Sequence, residues 1–396
     1  MIASLQNAYK FCIRGILAKS STIVAKVAYF IYNLRMKTRE LYRTRKELND
    51  DRQEKNNVSD KISLALVGIG NVSTTLVKGF EFYKNSTDGL WHPKIGGLTL
   101  NDFTISAAYD IDASKVGKNI SSLVNNSKSD FGNITIQPGI SDETTPSHIS
   151  QNGQIKTSSY DEFVNSLKKA KPDFLVNLIS SGMEKSSEKY AKAALDAGCS
   201  FFNATAAKTA TDQTRKAFES KGLIILGDDL MSQFGGTAFH RGMIDFMASR
   251  GIYLKKAYQL DVGGNQDTQN TMAEETRERK RQIKTESIAI ESPIPFMSTA
   301  GTTEYAEQLG DSRVSYYWME AKGFLNSPVE LDLSLRTNDS TNGCNVIVDS
   351  IRAAKKSISN KDYTKTEIIA AYAFKNPPKK MHIRECIKAF EDAFVN

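Results

Sequence analysis

The stretch GDDLMSQFGGT, residues 227–237, contains two adjacent aspartates, Asp228 and Asp229. It directly follows the short apolar segment LIIL. The apolar segment predicts a strand, and a run with helical spacing follows it. Because α/β proteins build their ligand sites at the carboxyl ends of strands, this turn is a candidate active-site turn. Its unexpected member is Met231, an uncharged, apolar side chain in such a turn.

A second candidate is a strongly charged helix, NTMAEETRERKRQIKTES, in which Lys280 and Lys284 are four residues apart. Side chains at that spacing lie on the same face of a helix. A helix this polar is most often solvated and cross-linked by ion pairs. The spacing alone therefore leaves two hypotheses open, a surface helix and a pair of lysines in a site.

A third candidate is a glycine turn in the first half of the chain. It lies in KISLALVGIGNVSTTLVKGFEFY, residues 61–83. Gly68 permits a tight turn after a strand, and Gly70 lets backbone N–H groups approach a pyrophosphate at a helix start. Ser73 stands where a small residue allows close packing of helix on strand. Asp110, at the end of the next strand, is placed to bind ribose hydroxyls. The alternative is an ordinary turn without a ligand.

The elements around these residues predict the fold class. Up to residue 227 apolar strands alternate with helical runs that end at glycines, as in a parallel, doubly wound sheet. The second half predicts longer strands at 313–324 and 328–337, in which Val329, Leu331, Leu333 and Leu335 alternate and predict one buried face. We predict an α/β protein: a Rossmann-like doubly wound parallel sheet plus an α+β domain with an antiparallel sheet.

Length and composition are those of a globular protein of more than one domain. The chain has 396 residues, of which 40% are hydrophobic and 24% charged. Its four cysteines are far apart and predict reduced thiols in a cytoplasmic compartment, with no disulfide framework or zinc knuckle. The predicted divisions are a basic extension at 1–57, a cofactor domain at 58–236, an α+β domain at 237–337, and C-terminal helices at 338–396.

The N-terminal segment carries the whole charge imbalance. Residues 1–50 hold ten basic and three acidic residues, which equals the net charge of +7 for the full chain. The neutral remainder gives no reason to predict a nucleic-acid partner. For the segment itself three hypotheses stay open: a basic helix on an anionic membrane, an organelle transit peptide, and a plain extension or misassigned start.

Several ordered motifs together resemble one family, the myo-inositol-1-phosphate synthases of the shorter archaeal and bacterial type. They are GIGNVSTTLVKGFEFY, YDIDASKVG, GDDLMSQFGGT, YQLDVGGNQD, RKRQIKT, AGTTEYAEQLGDSR, PVELDLSLRTNDSTNGCNVIVDSIRAAK and AFKNPP. The resemblance covers about residues 60–380.

This resemblance implies an NAD-dependent conversion of glucose 6-phosphate to 1D-myo-inositol 3-phosphate. In that reaction C5 of the open-chain sugar is oxidised, an enolate from C6 attacks the C1 aldehyde, and the ring ketone is reduced again. The resemblance also implies that the α+β domain is catalytic and forms a homotetramer, and that the C-terminal helices return to the cofactor domain. A divalent metal ion, with Asp229, Asp267 or Asp339 as ligands, stays open. Two further functions also stay open: action on another phosphorylated polyol, and an impaired relative that binds NAD or a membrane.

The resemblance also implies the site residues. The catalytic set is Lys280, Lys284, Lys375, Arg313, Asp267 and Asp339. The cofactor contacts are Gly68, Gly70, Asn71, Val72, Asp110, Ser180 and Asp229. The substrate phosphate contacts are Ser232, Gly236, Thr237 and Lys284.

Two positions depart from the family pattern, since Met231 and Arg313 stand where lysines are typical. Arginine keeps its charge but cannot act as a base near neutral pH. If Met231 removes a cation from the site, Lys208 or Lys322 could replace it, and restoring a lysine at position 231 should raise turnover.

Overall fold

The structure is a computed structural model that describes residues 61–124, 134–143 and 154–395. Within them the first sheet has six parallel strands in the order β3-β2-β1-β4-β5-β6. Its strands are β1 Ile62–Val67, β2 Phe103–Asp110, β3 Ile136–Pro138, β4 Phe174–Asn177, β5 Ser200–Asn203 and β6 Ile225–Leu226. This order is that of the dinucleotide-binding fold, with its ligand crevice between β1 and β4. The predicted Rossmann-like sheet is confirmed.

The helices of this part connect successive parallel strands. They are α1 Asn71–Phe82, α2 Ile120–Val124, α3 Tyr160–Ala170, α4 Glu184–Ala197 and α5 Asp212–Glu219. Ser73 is buried in the first turn of α1, and its hydroxyl donates to the Gly68 carbonyl at 2.6 Å. The small side chain thus fixes the helix start against the end of β1.

The second sheet is mixed, where a purely antiparallel one was predicted. Its strands are β7 Tyr253–Gly263, β8 Met297–Tyr305, β9 Ser312–Lys322 and β10 Pro328–Asn338, in the order β10-β9-β7-β8. β9 pairs antiparallel with β7 and β10, but β7 and β8 are parallel. The physical reason is that parallel neighbours need a crossover connection, and two helices in the chain between β7 and β8 supply it.

The second of these two crossover helices carries both lysines of the predicted pair. Before β7 comes α6 Gly236–Ser249, and the crossover consists of α7 Gln266–Thr271 and α8 Glu274–Ala289. The buried residues of α8 are Thr276, Lys280, Lys284, Ser287 and Ile288. The face of α8 that packs inward is therefore largely polar.

The last helices pack beside the first sheet. They are α9 Asp339–Ser359, α10 Thr366–Ala373 and α11 Ile383–Phe394. Ile347 and Phe390 share one hydrophobic cluster with Leu64 of β1. The cap of α9 is Asn338, whose side chain accepts from the Thr341 N–H. β10 is less buried than predicted: Leu331 and its alternate neighbours are only partly buried.

The basic segment of residues 1–50 lies outside the described residues, so its membrane and targeting hypotheses stay predictions. The helices that the structure does describe include none with the length and apolar character that a membrane span requires. The cytoplasmic location and the domain boundaries at 58–236, 237–337 and 338–396 also stay predictions.

Candidate active site

One cavity of about 480 Å³ brings together nearly all the predicted site residues. Its walls include the glycine turn after β1, the start of α6, the polar face of α8 and the segments around Ser180, Arg313 and Asp339. The predicted residues along it are Gly70, Asn71, Val72, Ser180, Asp229, Ser232, Gly236, Thr237, Asp267, Lys280, Lys284, Arg313, Asp339 and Lys375. Two predicted residues, Gly68 and Asp110, line an adjoining cavity of about 300 Å³ that shares Gly70 with the first.

The glycine turn has the geometry of a pyrophosphate cradle. Gly68 has φ +84°, and a methyl group on it would lie 2.8 Å from the Leu178 carbonyl oxygen. A methyl group on Gly70 would meet no protein atom within 4 Å, so the space above this glycine is open. α1 begins there without a side-chain cap, which leaves its first amides able to bind an anion.

Asp110 is buried beside this turn and braces it. One of its carboxylate oxygens accepts the Ile69 N–H at 2.7 Å and lies 3.3 Å from Lys115 Nζ. The other accepts the Asp112 N–H at 2.9 Å. Asp112 lines the same adjoining cavity and is more exposed, so a ribose in this cavity would find a second carboxylate beside Asp110.

Lys280 is held by an aspartate and a serine that also line the cavity. Its Nζ donates to Asp267 at 2.6 Å and to the Ser181 hydroxyl at 3.1 Å. Burial alone would lower the pKa of Lys280, but the attraction of Asp267 and Asp229 outweighs it and raises the pKa. Lys280 is therefore a permanent cation. The predicted Ser180 lines the cavity, while its neighbour Ser181 makes these hydrogen bonds.

Lys284, one turn further along α8, has the opposite electrostatics. Its Nζ donates to Asp261 at 2.5 Å, and its side chain is 6% exposed. Burial lowers the pKa of Lys284, and repulsion from Arg313 and Lys375 adds to that effect, against the attraction of Asp261. Among two lysines on one helix face, Lys284 is thus the one that can exchange a proton nearer neutral pH.

Arg313 and Lys375 complete the set of cations. The Arg313 Nε donates to both oxygens of Asp339, at 2.8 and 3.0 Å. Although burial works against its charge, Asp339 and Asp261 raise the pKa of Arg313 above its usual range, so it stays charged. Lys375 Nζ donates to one oxygen of Asp229 at 2.5 Å.

Two buried polar atoms of residues along this cavity have no hydrogen-bond partner. They are Oδ2 of Asp229 and Oγ1 of Thr237, on side chains that are each about 4% exposed. Buried polar atoms are nearly always satisfied in folded proteins. A ligand that supplies a hydroxyl or amide to Asp229 and an acceptor to Thr237 would satisfy both.

The three aspartates that were left open as metal ligands pair instead with cations of the protein. Asp229, Asp267 and Asp339 each hold a lysine or arginine. Across the described parts of the chain, no group of three or more histidine, cysteine or acidic side chains could hold a metal ion. The carboxylates present fit cations of the protein itself better than a divalent ion.

Met231 does not face this cavity. Its side chain is 5% exposed and lines an apolar pocket with Trp91, Phe239 and Cys386, with its sulfur 3.5 Å from the Arg241 guanidinium. The interpretation that a cation is missing from the active site is therefore wrong. Neither of the proposed substitutes, Lys208 and Lys322, is among the residues that line the cavity.

This placement reverses the expected effect of restoring a lysine at position 231. Met231→Lys should leave kcat no higher and lower the free energy of unfolding by about 2–3 kcal/mol, because it puts an ammonium beside buried Arg241. Urea unfolding and steady-state kinetics measure the two effects. Met297→Lys is the matched control, since that methionine is 71% exposed. A rise in turnover for Met231→Lys would contradict the placement.

Two carboxylates that line the cavity, Asp261 and Asp311, were not predicted as site residues from the sequence. Asp261 lies within β7, where Gln259 and Asp261 are buried and Leu260 between them is exposed. Period-two alternation predicts that Leu260 is buried and its polar neighbours are exposed, so Asp261 carries no local signal of a site residue. Asp311, in the turn before β9, accepts from the Ser340 hydroxyl at 2.6 Å and lies 3.4 Å from the Asn71 amide.

Comparison with known proteins agrees with this geometry. A model of the myo-inositol-1-phosphate synthase family matches residues 235–340. Inositol-3-phosphate synthase of Mycolicibacterium smegmatis is 31% identical over 342 residues, 81% of this chain and 94% of that protein. The enzyme of the same name from Corynebacterium glutamicum is 31% identical over 83% of this chain and 98% of its own length.

The chain belongs to the myo-inositol-1-phosphate synthase family. The resemblance stated from the sequence motifs is thus confirmed. A crystal structure of a myo-inositol-1-phosphate synthase-related protein from Thermotoga maritima superposes with a TM-score of 0.68, over 84% of this chain and 98% of that one. At 20% identity that likeness concerns the fold alone.

Proposed function

We propose that the protein is an inositol-3-phosphate synthase that isomerises glucose 6-phosphate to 1D-myo-inositol 3-phosphate. Its relatives carry that enzyme name, and the segment matched by the family model contains Lys280, Lys284 and Arg313. The observation that carries the proposal is the convergence of these three cations and Lys375 on one cavity next to the glycine turn.

The proposed cofactor is NAD, which fits the open space at Gly70 and the uncapped start of α1. Gly68 and Asn71 would hold its pyrophosphate, and Asp110 with Asp112 its adenosine ribose. The free oxygen of Asp229 would accept from a hydroxyl or amide at the nicotinamide end. When bound, NAD supplies a hydride acceptor that is regenerated within the same turnover.

The lysines divide the remaining work according to their charge. Negative charge develops on sugar oxygens during enolisation and ring closure, and fixed cations stabilise such charge in a cavity that excludes water. Lys280, whose pKa is raised, serves as that cation. Lys284, whose pKa is lowered by its burial and by neighbouring cations, carries protons to and from the sugar.

Arg313 and Lys375 orient the acids and the substrate. Arg313 cannot act as a base, so in this chain it binds Asp339 and contributes positive charge only. Lys375 keeps one oxygen of Asp229 occupied and leaves the other for a ligand.

The substrate phosphate would bind at the start of α6. This helix of 14 residues begins at Gly236 without a side-chain cap, and the Thr237 hydroxyl there has no partner. Free backbone amides and a hydroxyl at a helix start suit a phosphate. Ser232 lines the same end of the cavity, and Lys284 adds a positive charge.

The test is a discontinuous assay of the purified chain with glucose 6-phosphate and NAD, in EDTA and in Mg²⁺ or Zn²⁺. Mass spectrometry and NMR identify the products. We expect inositol phosphate to form without net NADH, at the same rate in EDTA as with either metal ion. NADH without inositol phosphate would mean that the sugar is oxidised but not cyclised. No turnover with NAD bound would favour another phosphorylated polyol or a binding role.

We further propose a homotetramer assembled through the outer face of the second sheet. Leu260 and Tyr316 on that face are each 37% exposed, and the Tyr258 and Trp318 rings stack beside them at 5.4 Å. Exposed apolar surface of this kind marks association sites. Light scattering should give about four times the chain mass of 43.9 kDa. Leu260→Asp should lower that mass, and a monomeric wild type would refute the assembly.

A further inference from the structure

The carboxylate of Asp261 lies where Lys284 and Arg313 meet. It is 1% exposed, with Oδ2 at 2.5 Å from Lys284 Nζ and 3.8 Å from the Arg313 guanidinium. None of the proposed steps of the reaction uses this carboxylate. A buried carboxylate is costly unless it is paired and hydrogen-bonded, so its presence beside the proton-carrying lysine needs a reason.

Asp261 is fixed in place from the side of the sheet. The Gln259 amide donates to both of its oxygens, at 2.9 and 3.0 Å, and the Ser315 hydroxyl donates at 2.6 Å. The start of α6 closes over this cluster, because a methyl group on Gly236 would collide with the Gln259 amide. The carboxylate therefore has one position, and Lys284 is the group that must adjust to it.

The charges around the pair come from several elements. Asp261 faces Lys284 of α8 and Arg313 of β9, with Tyr317 of β9 and His240 of α6 nearby. Burial lowers the pKa of His240 to about 4, so this ring is neutral. Burial and the charge of Asp261 raise the pKa of Tyr317, which is neutral as well.

Lys284 in turn faces Asp261, Arg313 and Lys375. Burial of Asp261 would favour its protonated form, but Lys284 and Arg313 outweigh that effect and keep its pKa below the usual range. For Lys284, the attraction of Asp261 opposes loss of the proton, while Arg313 and Lys375 favour it. The pair thus consists of a fixed anion and a lysine whose charge depends on it.

We propose that Asp261 is a positioning residue that holds the Lys284 ammonium in place and sets the pH at which that lysine gives up its proton. The proposal rests on the proposed function for the step itself. In that step the proton passes from Lys284 Nζ to a sugar oxygen, and a sugar C–H or O–H returns one later in the turnover. The lysine ends as it began, and Asp261 remains a carboxylate throughout.

The test replaces Asp261 with asparagine, which keeps the shape and removes the charge. Lys284 is followed in the full-length protein by trace labelling with acetic anhydride across a pH series, and the labelled peptide is quantified by mass spectrometry. Loss of the carboxylate should lower the labelling midpoint of Lys284 by about 1–3 pH units. In the pH profile of kcat, the limb that depends on the ionisation of Lys284 should move to lower pH by the same amount.

Ser315→Ala is the matched control. It removes a hydrogen bond to Asp261 but leaves the charge, so the labelling midpoint of Lys284 should stay at the wild-type pH. A midpoint that does not move in Asp261→Asn, or that moves equally in both variants, would overturn the proposal.

Folding and function are checked separately. If Asp261→Asn does not fold, D261N/R313Q keeps the net charge of the cluster. Its Lys284 midpoint should still fall, because the attraction of Asp261 exceeds the repulsion of Arg313. Since labelling needs no turnover, a shifted midpoint in a protein that makes no inositol phosphate would support the pairing and refute the proposed function alone.

Discussion

Replacing Lys284 with methionine should lower kcat with glucose 6-phosphate by about 10²–10⁴-fold while NAD still binds. Methionine fills a similar volume but can neither exchange a proton nor stabilise charge on a sugar oxygen. The effect falls on kcat because Lys284 binds Asp261 and is not one of the residues proposed to hold NAD. Product formation by mass spectrometry measures kcat, and fluorescence titration measures NAD binding.

The variant needs a control for folding, because it leaves the Asp261 carboxylate buried without its nearest cation. Losing one partner of a buried pair costs about 3–5 kcal/mol of stability. The double variant K284M/D261N removes both charges and should fold while staying inactive. Arg281→Met tests a partly exposed residue on the same helix, bound to Glu278, and should keep wild-type kcat. A kcat for Lys284→Met within tenfold of wild type would remove Lys284 from the reaction.

The first sheet was predictable because its signals are local. The glycine turn, the apolar strands and the glycine stops after helices each follow from a few neighbouring residues. The second sheet was predicted less well. Two of its four strands, β9 and β10, were predicted, but β7, β8 and their parallel pairing were not, because a polar helix between two strands does not reveal that it is a crossover.

The lysine helix shows why the site needed the family motifs. Prediction from periodicity assumes that the buried face of a helix is apolar. In α8 the buried face carries Thr276, Lys280 and Lys284, so periodicity alone favours a solvated surface helix. The same inversion in β7 concealed Asp261. The reason for a buried charge is clear only once its partner is known, and here the partners lie on other elements, Asp267 on α7 and Asp261 on β7.

Met231 illustrates a second limit. Asp229, two residues earlier, has φ +61°, a left-handed conformation that changes the direction of the chain within the turn. As a result Asp229 and Ser232 line the cavity while Met231 packs on the opposite side against Arg241. A sequence indicates that such a turn belongs to a site, but which of its side chains enter the site depends on backbone angles.

Replacing Gly68 with alanine should weaken NAD binding by about 10²-fold and destabilise the fold by about 3 kcal/mol. Alanine at φ +84° is strained, and its methyl group would lie 2.8 Å from the Leu178 carbonyl oxygen and 2.9 Å from the Ile179 nitrogen. Both are backbone atoms after β4 that cannot rotate away. The turn must open, which moves the amides at the start of α1 from the pyrophosphate.

Gly79→Ala provides the comparison within the same helix, because the nearest atom to its added methyl group is Tyr83 Cδ2 at 4.0 Å. In a helix interior this change should stabilise the protein by about 0.5–1 kcal/mol and leave NAD affinity unaltered. Isothermal titration with NAD and urea unfolding separate the two effects. If Gly68→Ala bound NAD as tightly as Gly79→Ala, the turn after β1 would not hold the dinucleotide, and Asp110 would serve only to brace the strand end.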